Sequence, residues 1–135
     1  MANASDYLEK AILDHVFKVA AFTQPPSIYI GLHTSSPADD DSGTEVSGTD
    51  YARVDASSSW AAASSPGGTI TTNADITFPA AGSGGWGTVT HIGIYDSDTG
   101  GSNNLLFHGA LAASKTVAES DIFQITSGNL TITLA

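Results

Sequence analysis

Cysteine is absent from this 135-residue chain, which excludes disulfides, thiolate catalysis and thiolate metal sites. Bases are scarce. Lys10, Lys18, Arg53 and Lys115 face fourteen acids, for a net charge of −10. Nucleic-acid backbones and anionic membranes both call for clustered Lys and Arg, so neither is an expected partner. A basic protein surface or a bound cation stays open. No apolar run approaches the ~20 residues needed to span a bilayer. The opening residues, MANASDYLEK, lack a basic region and an apolar core, so no signal peptide is expected and synthesis in a cytoplasm is. Charged residues make up only 13% of the chain, and Ser, Thr, Gly and Ala take their place.

The apolar share, 41%, suffices for a core, and the length suits one domain over residues 1–135. One helix is expected, over residues 5–20. Leu8, Ala11, Ile12, His15, Val16 and Val19 fall on one stripe at helical spacing. Ser5 or Asp6 can cap its start, Asp6 and Glu9 suit its positive end, and Pro25-Pro26 blocks continuation. Leu13 and Phe17 lie off that stripe and give the helix a second apolar face, placed to meet a neighbouring subunit.

From residue 27 the period changes to two. In SIYIGLHT (27–34), Ile28, Ile30 and Leu32 alternate with Tyr29 and His33. The polar stretch 35–50, SSPADDDSGTEVSGTD, is long for a connection and reads as mobile or used for contact. Short strands follow at YARV (51–54), 69–71, 74–78, 116–117, 122–125 and 130–134, with residues 79–85 as a flexible link. Between them, WGTVTHIGIYDSDTGGSNNLLFHGAL (86–111) is a hairpin written in turn chemistry. About eight short strands with frequent turns predict a mainly β fold: an antiparallel β-sandwich, jelly-roll-like, over residues 27–135, with the one N-terminal helix.

Each chemical candidate has a plain competitor. His91 and His108 sit on the two arms of the hairpin and might pair across strands as zinc ligands, with Asp96 nearest; the competing reading is an outward or half-buried strand histidine. Asp96-Ser97-Asp98-Thr99-Gly100-Gly101 opens like a calcium loop, but Gly100 takes a ligand position and Phe107 stands where a bidentate Glu belongs, so turn formation competes. Asp39-Asp40-Asp41 reads as a hydrated loop whose like charges repel. Arg53 reads as half of a structural salt bridge. Trp60, Trp86, Tyr29, Tyr51 and Tyr95 invite a carbohydrate-stacking role against ordinary core packing. No nucleophile elbow, dinucleotide fingerprint or P-loop occurs, no cofactor is implied, and an enzyme is not expected.

In order, DYLEKAILDHVF, SIYIGLHTSSPADDD, SGTDYARV, NADITFPAA, WGTVTHIGIYD, NLLFHGAL, SKTVAESD and LTITL resemble a family of small tailed-bacteriophage structural proteins, labelled tail-fibre-like or head-decoration-like. The resemblance implies a non-enzymatic virion protein, assembled in the host bacterial cytoplasm. Within it, the expectation is a capsid cement or decoration protein, a homo-oligomer with three as the expected number, binding the major capsid protein or other virion proteins. A tail or tail-fibre component that touches the host is the alternative, and a carbohydrate-binding module the second. Leu13 and Phe17 on the helix and Asp39, Asp40 and Asp41 in the loop are the expected contact residues.

Overall fold

A computed structural model of the chain describes residues 2–99 and 104–134. Among them are one helix and nine strands: β1 (Asn3–Ala4), α1 (Asp6–Val16), β2 (Tyr29–His33), β3 (Val54–Asp55), β4 (Thr69–Thr71), β5 (Ile76–Ala80), β6 (Gly87–Tyr95), β7 (Leu105–Val117), β8 (Ile122–Ile125) and β9 (Thr131–Thr133). The fold is mainly β, antiparallel throughout and sandwich-like, and it does not close into a barrel.

One layer is the five-stranded sheet β1-β7-β6-β2-β3. The other is a two-stranded ribbon. β4 pairs with β9 and β5 with β8, so residues 69–80 run antiparallel to 122–133 with a break between the two paired stretches. Thr72 and Leu130 bridge that break, the Thr72 N–H donating to the Leu130 carbonyl at 3.0 Å. The core fills the space between the layers. Ile30, Leu32, Val89, Ile92 and Ile94 come from the sheet; Ile76, Phe78, Phe123, Ile125 and Ile132 come from the ribbon. Alternation explains the ribbon side: in β5 and β8 every second residue is buried, Ile76 and Phe78 opposite Ile125 and Phe123. Tyr51, Phe78, Trp86 and Phe123 interlock by stacked and edge contacts, with centroids 5.3 to 6.5 Å apart.

Several boundaries differ from expectation. The β-body begins before the helix, because Asn3 and Ala4 pair with His108 and Phe107 of β7. Two residues carry no readable period, so β1 left no trace in the pattern. The pair at 116–117 is the end of the thirteen-residue β7, not a separate strand. Of YARV only Val54 lies in a strand, the two-residue β3, and Pro79 and Ala80 belong to β5 rather than to a linker. Gly100 and Gly101 of the expected turn lie outside the described residues.

The helix is shorter than its apolar stripe. Ser5 caps it, accepting from the Leu8 N–H at 3.2 Å. It ends at Val16 because Lys18 adopts a left-handed conformation, φ 64°. The Val19 N–H then donates to the Asp14 carbonyl at 2.8 Å and the Lys18 N–H to His15 at 3.3 Å. That pair of bonds is a Schellman closure with lysine where glycine is usual. Leu8 is the buried residue of the helix, and Ala11 and Ile12 are half-buried. The stripe residues His15, Val16 and Val19 are exposed: α1 packs on β7, its buried Leu8 and half-buried Ala11 and Ile12 lie in the first two turns, and the Phe22 N–H donates to His15 Nδ1 at 3.1 Å.

Candidate functional site

Chemistry-bearing side chains gather on the outer face of the sheet, away from the core. Paired residues share a face, and Tyr29 lies opposite Tyr95, Gly31 opposite Gly93, and His33 opposite His91. The long loop after β2 folds back across this face. The Val46 N–H donates to the Leu32 carbonyl at 2.9 Å, and Glu45 bridges to His33. The loop expected to be mobile or used for contact is docked on its own sheet, and β2 is covered on both faces.

The docked loop forms a polar clamp. Arg53 grips Glu45 with two parallel hydrogen bonds, Nε to Oε1 at 2.8 Å and Nη2 to Oε2 at 2.7 Å. The Arg53 side chain is 4% exposed. Its guanidinium carbon lies 3.5 Å from the centroid of the Tyr95 ring, and Nη1 donates to the Ser97 carbonyl at 3.1 Å. Tyr51 donates to Glu45 Oε1 at 2.7 Å and accepts from the Leu32 N–H at 2.8 Å. Tyr95 donates to Asp41 Oδ1 at 2.8 Å. Since the Tyr95 hydrogen points at Asp41, His33 Nε2, 2.8 Å from the same oxygen, is the donor there. Burial disfavours the charged ring, so with Nε2 donating His33 is the neutral Nε2–H tautomer, and its buried Nδ1 has no hydrogen-bond partner among the described residues.

Electrostatics follow from this arrangement. Burial, which disfavours a charge, pushes the His33 pKa below its ordinary range, against the pull of Glu45 and Asp41. Burial would raise Glu45, but the hydrogen bonds from Arg53 and Tyr51 outweigh it and hold the carboxyl low. Tyr51 and Tyr95 are both pushed up, first by burial and then by Glu45 and Asp41 respectively. Two glycines let the clamp sit this close. A Cβ on Gly31 would stand 2.8 Å from Glu45 Oε1, and one on Gly93 would stand 2.7 Å from the Tyr95 ring. The cluster holds a loop to a sheet, with Arg53 and Glu45 paired and Asp41 hydrogen-bonded by Tyr95, and its contacts are those of a fastening.

The expected contact residues separate. Asp39 accepts from His108 Nε2 at 2.7 Å and Asp41 from Tyr95, so these two anchor the loop instead of repelling one another in solvent. Asp40 accepts from the Ser42 N–H at 3.1 Å. Leu13 and Phe17 are 58% and 73% exposed. His91 and His108 do not pair across the hairpin. His91 faces His33 and Ala110, and His108 faces Gly93 and Asn3. Asp96 accepts from the Asn104 N–H and side-chain amide at 2.9 and 2.8 Å, a turn role. Among the described residues, no group of three or more His, Asp or Glu is placed to hold a metal ion. Of the five aromatics weighed for sugar stacking, Trp86 and Tyr95 are buried and Tyr29, Tyr51 and Trp60 half-buried. Those five therefore form no exposed platform.

Arg53 was legible as one arm of a salt bridge. Nothing in the local pattern marks His33, Glu45 and Tyr95 as its company. The available signal was the glycine in each of SIYIGLHT and HIGIYD, where a strand gives up a side chain to admit something close.

Residues 3–133 match a protein-family model described as Podophage GP4 fiber I protein gp80. No curated protein matches the chain.

Proposed function

Since the chain belongs to the family described as Podophage GP4 fiber I protein gp80, we propose that it is a non-enzymatic structural component of a tailed-phage fibre, carried on the tail assembly. The observation that carries this reading is the family match, which spans nearly the whole described body. The family description favours the tail-fibre alternative over the capsid cement expected from sequence. The physics of the body agrees with the reading. A protein exposed on a particle gains from a surface loop pinned by paired charges, because mobile loops are the usual sites of proteolytic nicking. The partners proposed are copies of this chain and other virion proteins.

Immunogold electron microscopy of intact virions, with antibody raised against this chain, tests the location. Label at the tail is expected. Label distributed over the head would return the chain to the capsid-decoration reading and overturn this one.

A further inference from the structure

The amino-terminal segment is joined to the β-body at few points. Asn3 and Ala4 pair with His108 and Phe107 on the outer edge of β7. The Ser5 N–H donates to the Leu106 carbonyl at 2.9 Å, and the Ser5 hydroxyl donates to the Leu105 carbonyl. The Asp6 N–H donates to the Asp39 carbonyl at 3.0 Å. Past Asp6 the anchoring by hydrogen bonds stops. Among the described residues, every hydrogen bond made by residues 7–22 stays within residues 5–22, including Lys10 to Asp14 and the Phe22 N–H to His15.

Packing is equally sparse. Within residues 2–22, only Ala2, Ser5 and Leu8 are buried. A gap of about 610 Å3 lies between Ile12 and Leu13 of α1 and Thr133 and Leu134 at the end of the ribbon. Residues 23–27, TQPPS, lead to β2 without regular structure. The first anchor after them is Ile28, whose N–H donates to Ser57 Oγ at 2.9 Å and whose carbonyl accepts from the Ala56 N–H at 2.7 Å.

An eleven-residue helix is marginal by itself in water, so α1 owes its order to the body. Its attachments lie at residues 2–8, and losing them frees the whole segment. Detachment and melting are therefore one event. The body keeps its core through that event, because among the described core residues Ala2 alone comes from the segment, and it is small. We propose that residues 2–22 form a strap that leaves β7 and unfolds as one unit, about the TQPPS connection, while the β-body stays folded. Beyond His108, no strand among the described residues pairs with the outer edge of β7. Opening of the strap therefore extends that bare edge over the whole of β7, residues 105–117. A strand edge of this length is a template for pairing with another strand, and the strap is its removable cover.

Native-state hydrogen exchange of the full chain, read by NMR over a series of sub-denaturing urea concentrations, tests this. The amides of Ser5, Asp6, Leu8 and the interior of α1 should exchange through one common opening, at least about tenfold more populated than the opening that frees the β2–β6 ladder. Ser5→Ala removes the helix cap and the bond to the Leu105 carbonyl. It should raise the strap opening about fivefold and leave the β2–β6 amides unchanged. A wild-type ratio below tenfold, or strap amides that scatter residue by residue without a common opening, overturns the proposal. So does a Ser5→Ala chain in which strap and β2–β6 amides accelerate together, or in which the strap amides do not accelerate.

Discussion

The loop of residues 34–53 and the helix α1 invert the usual match between polarity and exposure. The loop carries Asp39, Asp40, Asp41, Glu45 and Asp50, yet it lies on the sheet with Arg53 buried and Glu45 largely covered. The helix carries Leu13, Val16 and Phe17, yet leaves them in water. The difference lies in partners. Each buried charge of the loop meets an opposite charge or a donor, Glu45 from Arg53 and Tyr51 within the loop and Asp41 from Tyr95 on the sheet, and a paired group loses little on leaving water. The apolar side chains at the end of the helix have no such cover among the described residues, and the left-handed turn at Lys18 ends the helix there. Composition set the raw material in both cases, and what each segment found opposite decided its burial.

Breaking the loop side of this comparison should have the largest effect. Arg53→Met leaves Glu45 without its partner in a covered site and removes the cation over Tyr95. A loss of about 3 kcal/mol is expected from urea unfolding, and a loss below about 1 kcal/mol would show that the clamp fastens little. Glu45→Leu in the same chain should recover part of it, since removing both charges costs less than stranding one. Gly93→Ala acts on the same fastening by steric pressure. Its Cβ would lie 2.7 Å from the Tyr95 ring and 3.1 Å from His33 Nε2, so about 2 kcal/mol of destabilisation is expected, read as a lower melting temperature.

Acid should loosen the clamp without a mutation. The pKa of His33 in the folded chain is below its ordinary 6.5, so as pH falls through that value the unfolded chain takes up the proton first and stability declines. Glu45 also titrates below its ordinary value, 4.5, so the stability it gives is present above that pH and is lost as pH falls through its folded pKa. Both shifts carry the same sign. Melting temperature should fall from pH 7 toward acid, and Glu45→Gln should flatten the lower part of the profile. A melt that rises on acidification contradicts the assigned charge states.

The helix side should respond least. Lys18→Gly relieves a left-handed residue and should raise stability by up to about 1 kcal/mol. Val16→Ser should move the stability of the isolated copy by no more than about 0.5 kcal/mol, because the side chain is 63% exposed. A loss comparable to that of Arg53→Met would mean that the helix end is packed after all, and the contrast drawn here would fail.

Much of the framework was written locally. The strands at 69–71 and 122–125 and the two arms of the hairpin needed only alternation and turn residues, which act over neighbours along the chain. β1 is not legible because its two residues are strand solely by virtue of β7, more than a hundred positions away. The stop of α1 is not legible because its left-handed residue is lysine, which carries no glycine signal. His33 was legible as an outward strand residue, but the loop that buries it is not implied by its own neighbours.

By itself, the sequence determined the antiparallel β class, a helix start at Ser5 or Asp6, the acidic surface and the exclusion of cysteine chemistry, since each follows from residue type and short-range spacing. Tertiary structure decided which polar residues are buried, which apolar ones are bare, and that Arg53 joins Glu45 across Tyr95. Those outcomes depend on contacts between distant segments, where the cost of removing a group from water is set by whichever partner the fold brings to meet it.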